Sequence, residues 1–272
     1  MTIPTSRPRS AVRAVALTKT YTGRDGEVAA VRGVDLDVAP GEVFGFLGPN
    51  GAGKSTTVRM LTTLMRITSG TAEVAGVDVA ADPNGARRRI GVALQEAGLD
   101  QRQTGRELLT LQARLFGMRP PEAGARAAEL LELVELGDAA DRRVKGYSGG
   151  MKRRLDLASA LVHRPEVLFL DEPTTGLDPA SRLTVWEEVR RINALGTTVF
   201  LTTQYLEEAD QLCGRLAIID QGTIIRHGTP AALKAELRDR LGLGYDPTLD
   251  DVFLDATGRN RARSAGEVQE IH

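Results

Sequence analysis

The residues best suited to chemistry lie in one glycine-rich segment, residues 46–56. It contains the pattern Gly-x-x-x-x-Gly-Lys-Ser, in which glycines let the backbone N–H groups turn inward and leave room for phosphates. Lys54 can reach the β- and γ-phosphates, and the Ser55 hydroxyl can ligand Mg²⁺. We therefore predict a nucleoside triphosphate site. Its predicted contacts in this segment are Gly48, Pro49, Asn50, Gly51, Ala52, Gly53, Lys54, Ser55 and Thr56.

The alternative is a glycine-rich turn that precedes a helix by chance. The flanking segments argue against it, because an apolar strand is expected at residues 42–47 and a helix at residues 56–65. Such a helix would direct the positive end of its dipole at the same anion. The strand, loop and helix together indicate a phosphate-binding loop.

Two adjacent carboxylates, Asp171 and Glu172, follow the apolar run 167–170. An aspartate at the end of a buried strand is suited to hold Mg²⁺ beside a nucleotide. Neighbouring carboxylates repel one another, so this pair favours a place where a cation and a reacting water use it. We predict that Asp171 binds Mg²⁺ and that Glu172 orients or deprotonates the attacking water. A surface acidic pair is the alternative.

A second candidate anion site is the segment 147–151, where Ser148 could cap the start of a helix. Gly149 and Gly150 give close access to the backbone, so this helix end could also bind phosphate. Taken alone, Ser-Gly-Gly is also a common turn.

Tyr21 lies in a segment rich in Thr, Gly and Asp, which we expect to be a loop. An exposed aromatic ring there could stack on a base. It could equally be a surface tyrosine without a role.

The patterns around these residues predict an α/β fold. Residues 12–17 and 34–38 roughly alternate between apolar and other side chains, as half-buried antiparallel strands do. Strands buried on both faces of a mainly parallel sheet are expected at the apolar runs 167–170, 198–201 and 216–219. Ligands bind at the carboxyl ends of such strands, so the polar residues that follow them should converge on the phosphate-binding loop.

A helical insertion is predicted at about residues 98–161, where the sequence favours helix almost throughout. Within residues 121–136, apolar side chains recur at helical spacing, and Gly137 follows where a C-cap is expected. The insertion interrupts the α/β core.

The composition excludes several classes of protein. The chain has 272 residues, is 42% hydrophobic and carries a formal net charge of −1, which gives no long-range attraction to nucleic acid. No run approaches the ~18 to 20 apolar residues of a membrane helix, and residues 1–13 lack the apolar stretch of a secretory signal. We expect a chain without direct membrane insertion that stays in the cytoplasm.

The ordered motifs resemble those of the ATP-binding subunits of ABC transporters. Walker A, the signature motif and Walker B correspond to residues 48–56, 147–151 and 167–172. The resemblance implies an ABC cassette of the P-loop NTPase fold, with an N-terminal antiparallel β subdomain, a mainly parallel core sheet and a helical insertion. The resemblance covers about residues 12–258. With the composition of the two ends, it predicts a flexible tail at 1–10, an ATPase domain at 11–238 and a C-terminal extension at 239–272, whose last part is expected to be disordered.

The resemblance also assigns site residues. It implies that Tyr21 stacks on the base, that Gln95 contacts nucleotide and Mg²⁺, and that Asp178 belongs to the D-loop. It places Gln204 at the switch position, as a catalytic residue beside Glu172 and Lys54. The implied ligands are ATP and Mg²⁺, with Ser55, Gln95 and Asp171 at the metal.

The implied partners are a second copy of the chain and a transmembrane permease at the cytoplasmic face of the cell membrane. Each ATP would lie between the Walker A of one subunit and Ser148, Gly149 and Gly150 of the other. Binding of ATP would close the dimer, and hydrolysis would open it.

Two positions depart from the family pattern. The signature begins with Tyr147 instead of leucine and ends in Met151 instead of glutamine, which leaves Ser-Gly-Gly intact. The switch position holds Gln204 instead of histidine. A glutamine amide can donate a hydrogen bond to a γ-phosphate, but it cannot take up a proton.

Residues 201–210 and 247–254 are similar to the ATPases of daunorubicin/doxorubicin-resistance exporters. This similarity implies export of a drug or secondary metabolite. The alternatives are an ABC exporter of lipid or polysaccharide and a soluble ABC ATPase of translation or DNA repair. A single Walker A and the lack of a sustained heptad pattern disfavour the soluble ATPase.

Overall fold

The computed structural model describes residues 10–23, 26–95 and 98–258. The strands are β1 (Val12–Gly23), β2 (Gly26–Val38), β3 (Val43–Leu47), β4 (Ser69–Val74), β5 (Val77–Asp78), β6 (Ile90–Ala93), β7 (Val167–Asp171), β8 (Thr198–Thr203), β9 (Arg215–Asp220) and β10 (Thr223–Gly228). The helices are α1 (Lys54–Leu61), α2 (Pro83–Arg87), α3 (Gly105–Leu115), α4 (Pro120–Leu133), α5 (Gly149–Ala160), α6 (Pro179–Ala194), α7 (Leu206–Leu212), α8 (Pro230–Leu241) and α9 (Leu249–Ala256). Except for Ser10, the predicted tail at 1–10 lies outside the described residues, as do residues 259–272 of the predicted extension.

The core sheet has the strand order β10-β9-β3-β8-β7-β6, and only the edge pair β10-β9 is antiparallel. This confirms the mainly parallel core. Leu47 pairs with Thr203, and Asp171 pairs with Thr202, so β3, β8 and β7 end at the same edge of the sheet. The phosphate-binding loop and the Asp171-Glu172 pair therefore leave the sheet at the same edge, on either side of the end of β8.

Aromatic packing joins these central strands. The ring of Phe200 on β8 lies 5.6 Å from Phe44 and 5.7 Å from Phe46 on β3, and 5.3 Å from Phe169 on β7, measured between centroids. Buried aromatic pairs at this spacing add stability beyond the area that they bury. The rings pack together the three strands that lead into the site.

A second sheet, of order β2-β1-β4-β5, is antiparallel throughout and packs over the core sheet and α1. It confirms the N-terminal antiparallel subdomain, but β1 and β2 are longer than the predicted strands. Tyr21 lies in β1 and pairs with Val28, so the loop expected there is wrong. Thr18, Thr20 and Thr22 alternate along this stretch, and β-branched side chains favour a strand.

The helical insertion contains α3, α4 and α5, with 3₁₀ helices at Gly137–Ala139 and Val144–Gly146. The expectation of helix almost throughout is wrong for residues 98–104 and for most of residues 134–148. The helix α4 has its C-cap at Val134, and Gly137 starts a 3₁₀ helix, so the predicted cap is also wrong. The left-handed backbone of Glu135, with φ 54°, stops α4 before Gly137 is reached.

The helix after the phosphate-binding loop, α1, ends earlier than the predicted residue 65. Its C-cap is Thr62, whose hydroxyl donates to the Val58 carbonyl at 2.8 Å. Thr63 then adopts a left-handed backbone with φ 63°, which stops the helix. At the other end of the chain, the predicted domain boundary at residue 238 falls within α8, and the division into domains stays a prediction.

Glu188 of α6 is a buried carboxylate on the side of the helix that faces the helical insertion. It is fully buried, and neither of its oxygens has a hydrogen-bond partner among the described residues. The nearest cation is Arg154 of α5, whose Nη1 is 4.0 Å from Oε1. Burial raises the pKa of Glu188 to about 8, because the charged form is poorly solvated there.

This pKa links stability to pH. Between the ordinary value near 4.5 and about 8, the folded chain holds a proton that the unfolded chain has released. The free energy of unfolding therefore falls as pH rises through this range, and the penalty is complete above it.

Replacement of the carboxyl by an amide should remove this penalty. The quantity to compare is the Tm of Glu188→Gln minus the Tm of the unmodified chain. We expect this difference to be at least about 4 °C larger at about pH 9 than at about pH 5. Thermal unfolding at both pH values checks this. Glu187→Gln, at the adjacent exposed position, is the matched control and should show no such difference. An equal effect of Glu188→Gln at both pH values would contradict the raised pKa.

Candidate functional site

The phosphate-binding loop joins β3 to α1. Gly51 and Gly53 have φ of 81° and 109°, in the left-handed region that glycine tolerates, and Gly53 is the N-cap of α1. Lys54 is only 4% exposed, and its Nζ donates to the carbonyl oxygens of Gly48 at 2.8 Å and Pro49 at 3.3 Å. The loop thus holds the ammonium group beside the N-terminus of α1.

Asp171 links three elements at the edge of the core sheet. Its Oδ1 accepts a hydrogen bond from Ser55 Oγ of α1 at 3.2 Å and another from Thr202 Oγ1 of β8 at 2.5 Å. Charge-assisted bonds of this kind are stronger than neutral ones. The Asp171 carboxylate is therefore held beside the Ser55 hydroxyl, as the prediction of a shared Mg²⁺ site requires.

Glu172 is 9% exposed and has φ 49°, a left-handed backbone that costs about 1–3 kcal/mol in a residue other than glycine. Its N–H donates to the carbonyl oxygen of Thr202 at 3.0 Å, which holds this backbone in place. Glu172 Oε1 lies 3.3 Å from Lys54 Nζ, and Thr175 Oγ1 donates to Oε2 at 3.3 Å. The carboxylate thus faces the lysine of the phosphate-binding loop.

These groups open into a cleft of about 470 Å³. The cleft brings together predicted site residues from four separate segments of the chain: Pro49, Asn50, Gly51, Gly53, Lys54, Ser55, Thr56, Gln95, Glu172 and Gln204. Gly48, Ala52 and Asp171 are buried beside them. A Cβ at Gly48 would lie 2.3 Å from the carbonyl oxygen of Ile219, so this position requires glycine.

Tyr21 reaches the end of the phosphate-binding loop from β1. Its hydroxyl lies 3.4 Å from Thr56 Oγ1 and donates to Met65 Sδ at 3.2 Å, and the residue is 40% exposed. The ring therefore stands beside the loop with part of its surface open. Its contact with a base stays a prediction.

The segment 148–150 lies outside this cleft. Ser148 caps α5, and its Oγ accepts from the N–H of Met151 at 3.2 Å. A Cβ at Gly150 would lie 2.8 Å from Ser181 Oγ, which itself donates to Asp178 Oδ2 at 2.6 Å. Neither Asp178 nor any residue of this segment lines the cleft formed by the described residues. One copy of the chain does not bring the two predicted phosphate sites together.

The tyrosine at the start of the signature segment has a structural explanation. Tyr147 is buried, and its hydroxyl donates to the carbonyl oxygen of Ala139 at 2.6 Å. A Cβ at Gly105 would lie 2.7 Å from the same hydroxyl, so Gly105 makes room for it. The tyrosine side chain is accommodated inside the helical insertion, and Ser148 still caps α5.

Two polar residues that contact the site, Thr175 and Arg153, were not singled out from the sequence. Thr202 follows the apolar run 198–201, so it belongs to the strand-end residues that were expected to converge on the loop. No local pattern indicates Thr175. Arg153 does have a signal, because Gly150, Arg153, Leu157 and Ala160 share the buried face of α5 at helical spacing. Because Arg153 lies within the run Lys-Arg-Arg, the sequence favours a charged residue on the surface. In the structure, however, Arg153 is only 8% exposed.

Two features are absent from residues 10–23, 26–95 and 98–258. No group of three or more His, Cys, Asp or Glu side chains there could hold a metal ion. No helix in the same residues is long and apolar enough to cross a membrane.

Comparisons with known proteins agree with the motifs. The family model described as "ABC transporter" matches residues 31–175. The chain is 53% identical over 232 residues to the daunorubicin/doxorubicin resistance ATP-binding protein of Streptomyces peucetius, covering 85% of this chain and 69% of that protein. It is 46% identical over 228 residues to the Nod factor export ATP-binding protein I of Paraburkholderia xenovorans, covering 84% and 74%.

Among solved structures, the chain is similar to a dimeric ATP-binding cassette in a post-hydrolysis state with ADP and Pi. The TM-score is 0.73 and the identity 26%, over 80% of this chain and 98% of that one. The predicted family resemblance is confirmed by the family model and by both relatives. The chain belongs to the ABC transporter family, as an ATP-binding subunit that hydrolyses ATP.

Proposed function

We propose that this chain hydrolyses ATP at sites shared between two copies and drives export of a drug or secondary metabolite through a separate membrane permease. The observation that carries the ATPase part is the approach of Lys54, Glu172 and the Ser55-Asp171 pair at one cleft. The cargo class rests on the 53% identity to a protein named for daunorubicin/doxorubicin resistance.

In this proposal Lys54 exchanges its contacts when ATP binds. Its Nζ now contacts Glu172 and two loop carbonyls, and in the complex it contacts phosphate oxygens instead. Glu172 then loses its cation, and its carboxylate is free to orient or deprotonate the attacking water. The strained backbone and the bond to Thr202 keep it at the edge of the cleft during this exchange.

The side chains of Ser55 and Asp171 suit Mg²⁺, with Gln95 at the same cleft. A hydroxyl and a carboxylate oxygen 3.2 Å apart are hard ligands, and Mg²⁺ in nucleotide sites uses one or two carboxylates together with phosphate oxygens and water. Bound there, Mg²⁺ would neutralise negative charge that develops on the transferred phosphoryl group.

The remaining predicted contacts come from a second copy of the chain. Ser148, Gly149, Gly150 and Asp178 lie away from the cleft, and no atom within 4 Å would meet a Cβ at Gly149, so this helix end is open to a partner. A similar cassette forms a dimer in its solved structure. We propose that Tyr21 stacks on the base and that the dimer closes around two ATP molecules.

A second candidate cargo follows from the Nod factor export relative, at 46% identity. An exporter of another class of compound would use the same ATPase site, since the cargo contacts the permease. In either case the proposed location is the cytoplasmic face of the cell membrane, through the permease.

A pull-down from gently solubilised host membranes tests the transporter assignment. The bait is tagged Glu172→Gln protein with Mg-ATP, and the control is Lys54→Ala, which should not bind ATP. We expect a polytopic membrane protein on the bait, identified by mass spectrometry. Recovery of ribosomes, of DNA-repair proteins or of the chain alone would overturn the assignment.

The roles of Lys54 and Glu172 are tested by separating ATP binding from turnover. We expect Glu172→Gln to bind ATP within about threefold of the unmodified protein and to lose at least about 10²-fold in kcat, since it lacks the general base. Lys54→Ala should lose ATP binding. Equilibrium binding and phosphate release measure the two quantities, and Glu73→Gln, at an exposed site, should change neither. A Glu172→Gln protein that still cycles would remove Glu172 from this role.

The switch position is tested through pH. Gln204 lines the cleft and does not titrate near neutral pH, so it contributes no limb to the pH profile of kcat. We expect Gln204→His to add a limb near the ordinary histidine pKa of ~6.5. Gln204→Asn is the control that keeps the amide, and it should add none. Identical profiles for all three proteins would show that this side chain does not contact the reacting phosphate.

A further inference from the structure

Arg153 is a buried cation on the signature helix α5, one turn after Gly150. Its guanidinium donates to three backbone carbonyl oxygens: Nε to Pro173 at 2.8 Å, Nη2 to Asp171 at 3.2 Å, and Nη1 to Leu94. Nη1 also donates to Asp156 Oδ2 at 3.1 Å.

The three carbonyls flank two side chains of the ATP cleft. Leu94 directly precedes Gln95, and Asp171 and Pro173 lie on either side of Glu172. One side chain therefore ties the end of β6, the end of β7 and the signature helix together. The planar guanidinium has five N–H donors in a fixed fork, and a lysine ammonium cannot reach the same acceptors from one point.

Ion pairing alone does not explain this arrangement. Asp156, one turn further along α5, already supplies the opposite charge. Burial raises the pKa of Asp156 to about 6, although Arg153 opposes the shift. A pair that served only to stabilise the helix would need none of the three contacts to other segments.

The contacts of Arg153 complete the restraint on Glu172. Thr202 holds the Glu172 N–H, while Arg153 holds the carbonyls of the residues before and after it. A left-handed backbone in a residue other than glycine persists only where its surroundings over-determine it. Two separate elements, β8 and α5, supply that restraint here.

We infer that Arg153 is a positioning residue that couples the signature helix to Gln95 and Glu172 and keeps the Glu172 carboxylate in its reactive position. The inference rests on the proposed function, because it takes Glu172 as the residue that activates water. When α5 moves against a second copy, the carbonyls of Leu94, Asp171 and Pro173 move with it. Closure of the dimer is thereby transmitted to both cleft residues.

Kinetics of Arg153→Met and Arg153→Lys test the inference. We expect Arg153→Met to lower kcat by about 20-fold or more, because small displacements of a reacting group cost up to ~10²-fold, while the Kd for Mg-ATP changes less than about threefold. Arg153→Lys should be intermediate in kcat with the same Kd. If the role of Arg153 were purely structural, its replacement would lower Tm but would not lower kcat selectively while the Kd for Mg-ATP stays unchanged.

Arg154→Met is the matched control. Arg154 lies on the same helix and also donates to two backbone carbonyls, of Val134 and Glu135, but both belong to the helical insertion. Its kcat should stay within about threefold of the unmodified protein. The inference is overturned if Arg153→Met folds and keeps kcat within the same threefold limit. If Arg153→Met does not fold, the same criterion applies to Arg153→Lys.

Glu172→Gln, measured in the same series, separates failure of the inference from failure of the proposed function. If Glu172→Gln turns over normally, the proposed role of Glu172 fails, whatever Arg153 does. If Glu172→Gln is inactive and the Arg153 variants are active, only the inference fails. When Arg153 acts through Glu172, the double variant Arg153→Lys with Glu172→Gln is no slower than Glu172→Gln alone.

Discussion

The site depends on the carboxylate of Asp171, which accepts hydrogen bonds from Ser55 and Thr202. These bonds join the helix that follows the phosphate-binding loop to two neighbouring strands of the core sheet. The parallel register sets them up, because Asp171 and Thr202 are paired at the ends of β7 and β8. This junction places Ser55 and the neighbouring Glu172 at the same edge of the sheet.

Charges in the site are held in place before ATP binds. Lys54 and Glu172 are almost completely buried and lie 3.3 Å apart, so each offsets the cost of burying the other. In the proposed function, an incoming phosphate competes with Glu172 for the same ammonium group. The proposed exchange would link binding of ATP to release of the carboxylate. Thr202 and Arg153 hydrogen-bond to the backbone on both sides of Glu172 and so tie it to β8 and α5.

Local patterns in the sequence were sufficient for much of this description. The glycine spacing of residues 48–55, the apolar run before Asp171 and the Ser-Gly-Gly segment each predicted an element that the structure contains, since the signals lie within one stretch of chain. The failures were also local. The sequence predicted a loop at Tyr21 and a helix cap at Gly137, where pairing with Val28 and the left-handed backbone of Glu135 decided otherwise.

The sequence by itself determined the phosphate-binding loop, the carboxylate pair and the mainly parallel core, because glycine spacing and hydrophobic runs specify them directly. No local pattern fixed where Gln95, Gln204 and the segment 148–150 lie, and the family resemblance only implied it. The tertiary structure decided that Gln95 and Gln204 line one cleft and that the segment lies outside it, since these positions depend on strand order and on packing of the helical insertion. It also decided the contacts of Arg153. Its acceptors are backbone carbonyls, which every residue carries, so no side-chain pattern could identify them.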